Sequence, residues 1–331
     1  MTLAISGTTG ITLATQFDSA STFAFKNRFI NGAMQVAQRG TSGTSGSSVP
    51  TTAPTYPSVD RWYAYATGAT VTVAQVAGTG AIKNNLQVTG AGTVTSVGVG
   101  QRIEQLNCYD LAGSTCTLSV NMSNSLLTTV TWTASYATSA NTWSAKTTIS
   151  SGTFTVTSSL ANYSAQIVVP AAATTGIEIL FTVGAQTSGT WVIGNAQFEP
   201  STTVATSFDY RPYGTELALC QRYYQKLIAQ TTNTDIGTGF CATTTQYRTY
   251  LMYPVVMRTN PTAIEQSGTV ADYLVSIAGA TVTSNTIPSI LSASTQNIAI
   301  LFTVASGLTA GQGGAARFAN TNSYLAWSAE L

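Results

Sequence analysis

Histidine is absent from this chain of 331 residues, and charged residues are scarce. Lysine and arginine together number 13 and aspartate and glutamate 12, so only 8% of the residues are charged and the net charge is +1. Without histidine, the side chain most often used in acid–base catalysis and in mixed zinc sites is missing. The small net charge gives no basis for binding nucleic acid or an anionic membrane surface. We therefore expect neither as a partner.

Long apolar runs and paired cysteine motifs are also missing. No stretch reaches the roughly 18 apolar residues of a membrane-spanning helix, so we expect no membrane insertion. The first basic residue is Lys26, which argues against a secretory signal peptide and predicts synthesis in a cytoplasm. The four cysteines form no Cys-x-x-Cys motif, so we expect no metal and no cofactor. Buried free thiols are the preferred interpretation, although Cys108–Cys116 and Cys220–Cys241 bridges stay open.

What the chain does contain is a succession of short segments in which apolar and polar residues alternate. In the segment 176–184, for example, Ile177, Ile179 and Phe181 fall on one face. Period-two alternation between turn residues is typical of antiparallel strands. About eight to ten such segments predict a jelly-roll β-sandwich over residues 27–212. The predicted strands are 70–76, 94–106, 116–122, 128–137, 154–156, 164–170, 176–184 and 190–199.

A break at Pro212 and Gly214 ends this set of strands. Beyond it, apolar residues recur at helical spacing and predict one helix over 215–228, with Thr215 as its cap and Glu216 at its positive end. Strands are predicted again at 239–245, 247–254, 270–277, 280–283, 298–304 and 324–331. The sequence thus predicts an all-β chain with an N-terminal arm (1–26), a jelly-roll domain (27–212) and a smaller β-rich domain with one helix (213–331).

The scarcity of charge has a consequence for strand edges, which proteins usually protect with lysine, proline or bulges. Only four lysines are present, namely Lys26, Lys83, Lys146 and Lys226. We expect the edges to be covered by neighbouring subunits, as in a component of an assembly. A secreted β protein of the same composition is the alternative interpretation.

Several motifs carry a resemblance to a known group of proteins. They are NRFINGAM (27–34), DRW (60–62), WVIGNAQFE (191–199), RPYGTELALCQRYYQK (211–226), VVMRTNPT (255–262) and AEL (329–331). Together they resemble bacteriophage tail-fibre and related virion surface proteins, whose first domain is similar to carbohydrate-binding jelly rolls. The resemblance covers most of the chain after residue 26. The motifs look architectural, so no ligand-binding residue can be carried over.

The resemblance implies a virion structural protein, either a tail fibre or a tail-tip protein that recognises host surface glycans. The alternative is a capsid decoration or head-fibre protein with a purely structural, adhesive role. The implied partners are other virion proteins through the arm (1–26), further copies of the chain in a trimer, and host cell-surface polysaccharide. For the arm itself, a frayed terminus is the alternative.

Sugars are bound by flat aromatic rings under their C–H faces and by polar groups around their hydroxyls. The candidate ligand-binding residues are Trp62, Tyr65, Trp132, Tyr136, Asn141 and Trp143, and Tyr63 is a further aromatic candidate. Strand alternation places Trp132 and Tyr136 on one face. Trp143 lies in a predicted loop over 137–146 and is expected to be the most exposed ring. For each of these aromatic residues, a place in the core of the sandwich is the competing interpretation.

Catalysis has little support in the sequence. A glycosidase would need two carboxylates about 5–10 Å apart, and no pair of acidic residues stands in a recognisable motif. The glycine-rich stretches lack the lysine and hydroxyl residue of a phosphate-binding loop. We therefore expect a protein that is not an enzyme.

Overall fold

The structure is a computed structural model that describes residues 25–45, 54–200 and 204–331, together with the backbone of two short paired strands. These are β1 (Ile5–Ser6) and β2 (Gly10–Ile11). Apart from these four residues and residues 25–26, the predicted arm lies outside the described residues. The chain divides into two compact units, the first comprising 1–216 and Leu331 and the second 217–330. The domain limits from the sequence remain predictions.

The first unit is an antiparallel β-sandwich, so the predicted jelly-roll architecture is confirmed. Its strands are β3 (Ser42–Ser45), β4 (Tyr63–Thr67), β5 (Val71–Ala77), β6 (Asn84–Thr89), β7 (Ser96–Ile103), β8 (Thr115–Asn124), β9 (Thr129–Ser139), β10 (Thr142–Thr155), β11 (Ala161–Val168), β12 (Ile177–Val183) and β13 (Thr190–Pro200). A five-stranded sheet has the order β10-β9-β12-β7-β4, and a six-stranded sheet has the order β11-β8-β13-β6-β5-β3. Two 3₁₀ turns, Gln105–Asn107 and Tyr109–Leu111, follow β7.

The core of this unit is made by alternate residues of the two sheets. Ile177, Ile179 and Phe181 of β12 are fully buried, as the alternation in the sequence predicts, and Leu118 and Val120 of β8 are buried as well. Burial of each such side chain contributes roughly 1.5–3 kcal/mol. The sandwich is therefore stabilised by the period-two pattern that also reveals it in the sequence.

The motif at 27–34 is architectural, and two buried asparagines show how. The side chain of Asn27 donates to the carbonyl oxygen of Ala196 at 3.0 Å and accepts from the backbone N–H of Phe198 at 3.1 Å. Asn31 has a positive φ of 59°, which asparagine tolerates, and its amide donates to the carbonyl oxygens of Val36 and Asp60. The hydrogen bonds of these side chains stabilise an irregular segment that forms no strand.

The second unit is a smaller β-rich body. Its strands are β14 (Tyr224–Ile228), β15 (Asp235–Cys241), β16 (Gln246–Met252), β17 (Ile264–Gln266), β18 (Tyr273–Ile277), β19 (Ala280–Thr283), β20 (Ser289–Ala293), β21 (Asn297–Thr303), β22 (Gly313–Phe318) and β23 (Tyr324–Ser328), with a 3₁₀ turn at Val270–Asp272. Three strands form a sheet in the order β14-β23-β17, and seven form a sheet in the order β19-β18-β22-β15-β16-β21-β20.

The single predicted helix is shorter than expected. The helix α1 (Tyr213–Gln221) begins two residues before Thr215, and Glu216 lies in its first turn as predicted. Residues 224–228 form β14 instead, because they pair with β23, where Tyr224 lies opposite Ser328. Pairing with a strand about a hundred residues away outweighs the helical spacing in the sequence, and only the tertiary structure supplies that partner.

Two sequence expectations concern bilayers and thiols. In the described part of the chain, no helix has the length and apolar character needed to cross a bilayer. All four cysteines are buried free thiols. Burial raises the pKa of Cys108 to about 12 and that of Cys116 to about 11, so both are protonated at neutral pH.

Candidate functional site

The outer face of the five-stranded sheet, which points away from the sandwich core, carries two tyrosines packed on glycines. Tyr63 of β4 lies opposite Gly100 of β7, and Tyr65 lies opposite Gly98. A Cβ atom added at Gly98 would lie 2.1 Å from the ring of Tyr65, and one at Gly100 would lie 2.5 Å from the hydroxyl of Tyr63. Each ring therefore rests directly against backbone that only glycine leaves open.

A buried ion pair lies next to these rings. Arg102 of β7 and Glu178 of β12 are directly opposite each other, and the Arg102 Nε is 3.0 Å from the Glu178 Oε1. Both side chains are only 1% exposed. The Lys146 ammonium pairs with the second carboxylate oxygen. Two cations therefore stabilise the buried carboxylate, whereas an isolated ion pair at this depth would have fewer groups to offset its desolvation.

Aromatic rings flank the guanidinium of Arg102. It lies 5.6 Å from the ring centroid of Tyr63 and 5.1 Å from that of Trp143, within the range of cation–π attraction. Its Nη1 donates to the backbone oxygen of Leu331 at 2.9 Å, and the Tyr56 hydroxyl donates to the same oxygen at 3.2 Å. Arg102 and Tyr56 therefore already donate hydrogen bonds to one oxygen atom at this face.

We name the six residues of this face the outer-face cluster; they are Tyr63, Tyr65, Arg102, Trp143, Lys146 and Glu178. One of its donors is unused, because the Trp143 Nε1 is buried and has no hydrogen-bond partner among the described residues. Such a group is uncommon in native proteins and calls for an explanation. A ligand oxygen within reach of the indole N–H would supply its acceptor.

Both tyrosines of the cluster remain protonated at physiological pH. Burial raises the pKa of Tyr63 well above its usual value, and the negative charge of Glu178 raises it further, while Arg102 opposes the shift. Burial, followed by the charge of Glu178, also raises the pKa of Tyr65. The hydroxyl of Tyr63 is therefore a hydrogen-bond donor in this site.

Three of the residues predicted from the sequence, Tyr63, Tyr65 and Trp143, belong to this cluster. The expected exposure of Trp143 is wrong, since the side chain is 5% exposed and lies in β10 rather than in a loop. The loop is short because β9 ends at Ser139 and Asn141 takes a positive φ of 54° in the turn. The side chain of Asn141 accepts a hydrogen bond from the backbone N–H of Gln105 at 2.8 Å, which holds that turn in place.

The other three predicted residues lie in or against the core. Trp62 is fully buried, and its Nε1 donates to the carbonyl oxygen of Asn31 at 3.0 Å. Trp132 is 7% exposed, and its ring centroid is 6.4 Å from that of Phe154. Tyr136 is half-buried and packs against the same core. The structure does not bring these three into the outer-face cluster, and their ligand role remains a prediction.

Sequence reasoning missed the charged members Arg102 and Lys146 and gave Glu178 no special role. A signal was present, since β7 and β12 each carry one charge at an outward position among apolar and small residues. Because only 8% of the residues in the chain are charged, an arginine and a glutamate at two such positions are candidates for an ion pair. Pairing them requires the strand register, which the sequence does not provide.

The described part of the chain holds no cluster of side chains suited to a metal ion. Within residues 25–45, 54–200 and 204–331, no three acidic or cysteine side chains converge as a metal site requires. The outer-face cluster as defined contains one carboxylate, Glu178, which is occupied by Arg102 and Lys146. That the protein is not an enzyme stays a prediction.

No family model matches the sequence. The search of curated proteins gave no match either. Part of the chain is similar to solved structures. A family 4 carbohydrate-binding module is 14% identical, with 52% of this chain and 98% of that chain covered and a TM-score of 0.36. For the C-terminal family 22 carbohydrate-binding module of Clostridium thermocellum Xyn10B, the identity is 18%, the coverage 44% and 89%, and the TM-score 0.31.

A domain of tailspike protein 4 from bacteriophage CBA120, described as enzymatically active, is 15% identical. It covers 53% of this chain and 21% of that chain, with a TM-score of 0.33.

Proposed function

We propose that this chain is a bacteriophage virion protein, of a tail fibre or tail tip, and that it binds a host-surface glycan at the outer-face cluster. The observation that carries the proposal is the Arg102–Glu178 pair, held between the rings of Tyr63 and Trp143 on a face that does not contribute to the core. The unused indole N–H of Trp143 adds a donor without an acceptor.

The chemistry of the cluster suits a sugar better than a simple anion. Sugar hydroxyls both donate and accept hydrogen bonds, and the cluster offers donors on Arg102, Lys146 and Trp143 beside an acceptor on Glu178. An anionic group would have to compete with Glu178 for the same cations.

The virion part of the proposal rests on composition and on the resemblance described above. A chain with 8% charged residues and four lysines has little protection at its strand edges. We propose that further copies, in a trimer, and neighbouring virion proteins cover these edges, the latter through residues 1–26. Several copies on one particle would compensate for weak binding at each site.

A second candidate function, a capsid decoration or head-fibre protein with a structural role, is favoured by one observation. Tyr63, Arg102 and Glu178 are each only 1% exposed. A face so deeply covered can act as a stabilising network without binding anything. This candidate predicts a correctly assembled oligomer that binds no glycan.

The test measures binding of the purified full-length protein to whole bacterial cells and to a glycan array. Trp143→Phe keeps an aromatic ring but removes the indole N–H, which makes it more informative than Trp143→Ala, a change that would leave a cavity. Trp191→Phe is the matched control, because it makes the same change at a fully buried residue of the core. We expect saturable binding that Trp143→Phe weakens by about tenfold, roughly the value of one hydrogen bond, and that Trp191→Phe preserves.

Absence of binding by a folded oligomer would overturn the glycan proposal and favour the structural candidate. Equal weakening by the two variants would point to a loss of stability rather than of a contact. Removal of residues 1–26 tests the arm separately, since normal incorporation of the truncated protein into particles would contradict its attachment role.

A further inference from the structure

The seven-stranded sheet of the second unit also has an outer face, and this one carries exposed aromatic rings. Phe240 of β15 lies directly opposite Arg248 of β16, and Tyr250 follows two residues later on the same face. The ring centroids of Phe240 and Tyr250 are 6.5 Å apart, and the rings are nearly parallel, at 14°. Phe240 is 40% and Tyr250 57% exposed. We name these three residues the aromatic–arginine surface.

Within the described ranges of the chain, the guanidinium of Arg248 has no counterion. Among the described residues, no carboxylate lies within ion-pair distance of it, and its Nε is buried without a hydrogen-bond partner. The other arginine of this sheet, Arg317, is paired with Asp235, with 2.5 Å between its Nε and the Asp235 Oδ1. An uncompensated, half-buried charge disfavours folding, and a bound anion would remove that cost.

The rings and the charge together indicate the kind of occupant. A guanidinium binds a carboxylate through two parallel hydrogen bonds, a geometry that lysine does not offer. Two exposed parallel rings offer flat apolar area for the C–H faces of sugar rings. A neutral glycan would contact the two rings and leave Arg248 without a counterion. An acidic glycan would contact the rings and also pair with the arginine.

A second copy of the same face is a poorer occupant. The strands β15, β16 and β18 to β22, all within the described residues, contain one acidic residue, Asp235, and that carboxylate already pairs with Arg317. A self-complementary contact would bring Arg248 of one copy against a face without a free carboxylate. Repulsion between like charges would oppose it.

We propose that Phe240, Arg248 and Tyr250 bind an acidic polysaccharide, with a sugar carboxylate on Arg248 and sugar rings on the two aromatic side chains. This surface lies wholly in the second unit and is independent of the outer-face cluster. The protein then has two carbohydrate-binding surfaces of different charge preference.

The experiment measures binding of the full-length protein to immobilised polygalacturonate and polysialate, with dextran as the neutral probe. Arg248→Gln is expected to weaken binding to the acidic polymers by about tenfold or more, the factor that corresponds to about 1.4 kcal/mol. Tyr250→Ala is expected to weaken it several-fold. Met252→Ala, on the same strand and face and 74% exposed, is the matched control and is expected to leave binding within about twofold. Higher salt should weaken binding, because the contact is ionic.

Four outcomes would overturn the proposal: no binding to either acidic polymer, equal binding to dextran, no effect of Arg248→Gln, or a changed oligomeric state of Tyr250→Ala in sedimentation. The last result would make this face a contact between subunits. Trp143→Phe is expected to leave acidic binding unchanged, which separates this surface from the outer-face cluster. If Arg248→Lys binds the acidic polymers more tightly than Arg248→Gln but less tightly than the unchanged protein, the charge contributes to binding as well as the geometry of the guanidinium.

Discussion

The two outer sheet faces use the same kinds of side chain to opposite effect. On the first unit, Arg102 lies opposite Glu178, and the rings around it are buried. On the second unit, Arg248 lies opposite Phe240 and, on its other side, Leu301, and the rings near it are exposed. The identity of the cross-strand neighbour decides whether an arginine becomes part of a stabilising network or remains available to a ligand.

This difference predicts a gradient of effects, from large on the first face to small on the second. A charge that is paired and buried cannot lose its partner without leaving an uncompensated ion. A charge that is unpaired has no partner to lose. Stability measurements on single variants therefore distinguish the two faces directly.

The largest effect is expected for Glu178→Ala, which leaves Arg102 buried without its carboxylate. We expect a loss of about 3–5 kcal/mol in the free energy of unfolding of the first unit, measured by urea denaturation. The double variant Arg102→Met with Glu178→Leu is the control, because it removes both charges and is expected to be close to neutral. A single variant as stable as the double one would show that the pair is not the stabilising element.

Next in size is Gly98→Ala, because the new Cβ would lie 2.1 Å from the ring of Tyr65. We expect a loss of about 1–3 kcal/mol, typical of overpacking. The second face contains a matched site, since Gly313 lies opposite Phe240 and an added Cβ there comes no closer than 3.8 Å to any atom. Thermal unfolding of Gly313→Ala is expected to match the unchanged protein within about 0.5 kcal/mol. Similar losses at both glycines would contradict the comparison.

The first face also predicts a dependence on alkaline pH. Burial raises the pKa of Tyr63 in the folded state, whereas in the unfolded chain it is about 10. The contribution of this pKa shift to the free energy of unfolding is complete below about pH 10. It is lost as the pH rises from about 10 towards the folded-state pKa, because the unfolded chain releases its proton first. Urea unfolding at a series of pH values should show a shallower alkaline decline for Tyr63→Phe. An identical decline in both proteins would assign the effect to other buried tyrosines, such as Tyr247.

The smallest effect is expected for Tyr250→Ser on the second face. Its ring is 57% exposed and packs mainly on Phe240, so we expect a change within about 0.5 kcal/mol in the free energy of unfolding. Denaturation of the second unit checks this. A loss of several kcal/mol would show that the rings stabilise the fold and would remove the reason to regard them as a binding surface.

Sequence patterns located most strands of the first unit, because each strand buries one face and therefore alternates with period two. They fail at Trp143, where the turn at Asn141 carries no glycine or proline to mark it, so the pattern predicts a loop where the structure has a strand. They also fail at residues 224–228, where helical spacing and a strand fit the same few residues. In both places the sequence pattern covers fewer residues than are needed to distinguish a strand from a loop or a helix.

The candidate sites show the same division. Aromatic residues could be recognised in the sequence as possible sugar contacts, but Trp62 and Trp132 turned out to pack in the core while Trp143 and Tyr65 join a charged cluster. A turn can shift the strand register by one residue, and this shift exchanges the two faces of the strand. Composition and spacing therefore do not show which face of a sheet a tryptophan occupies. The aromatic–arginine surface had no sequence signal, because its members come from two strands.

The all-β class, the scarcity of charge and the absence of histidine follow from the amino-acid sequence, because they depend on local periodicity and composition. The tertiary structure alone decided the partners: Glu178 for Arg102 and Phe240 for Arg248. Strand pairing joins residues that are far apart in the chain, and a shift of one residue would exchange every inward for an outward side chain. Whether a charge is neutralised or left for a ligand is therefore a property of the register.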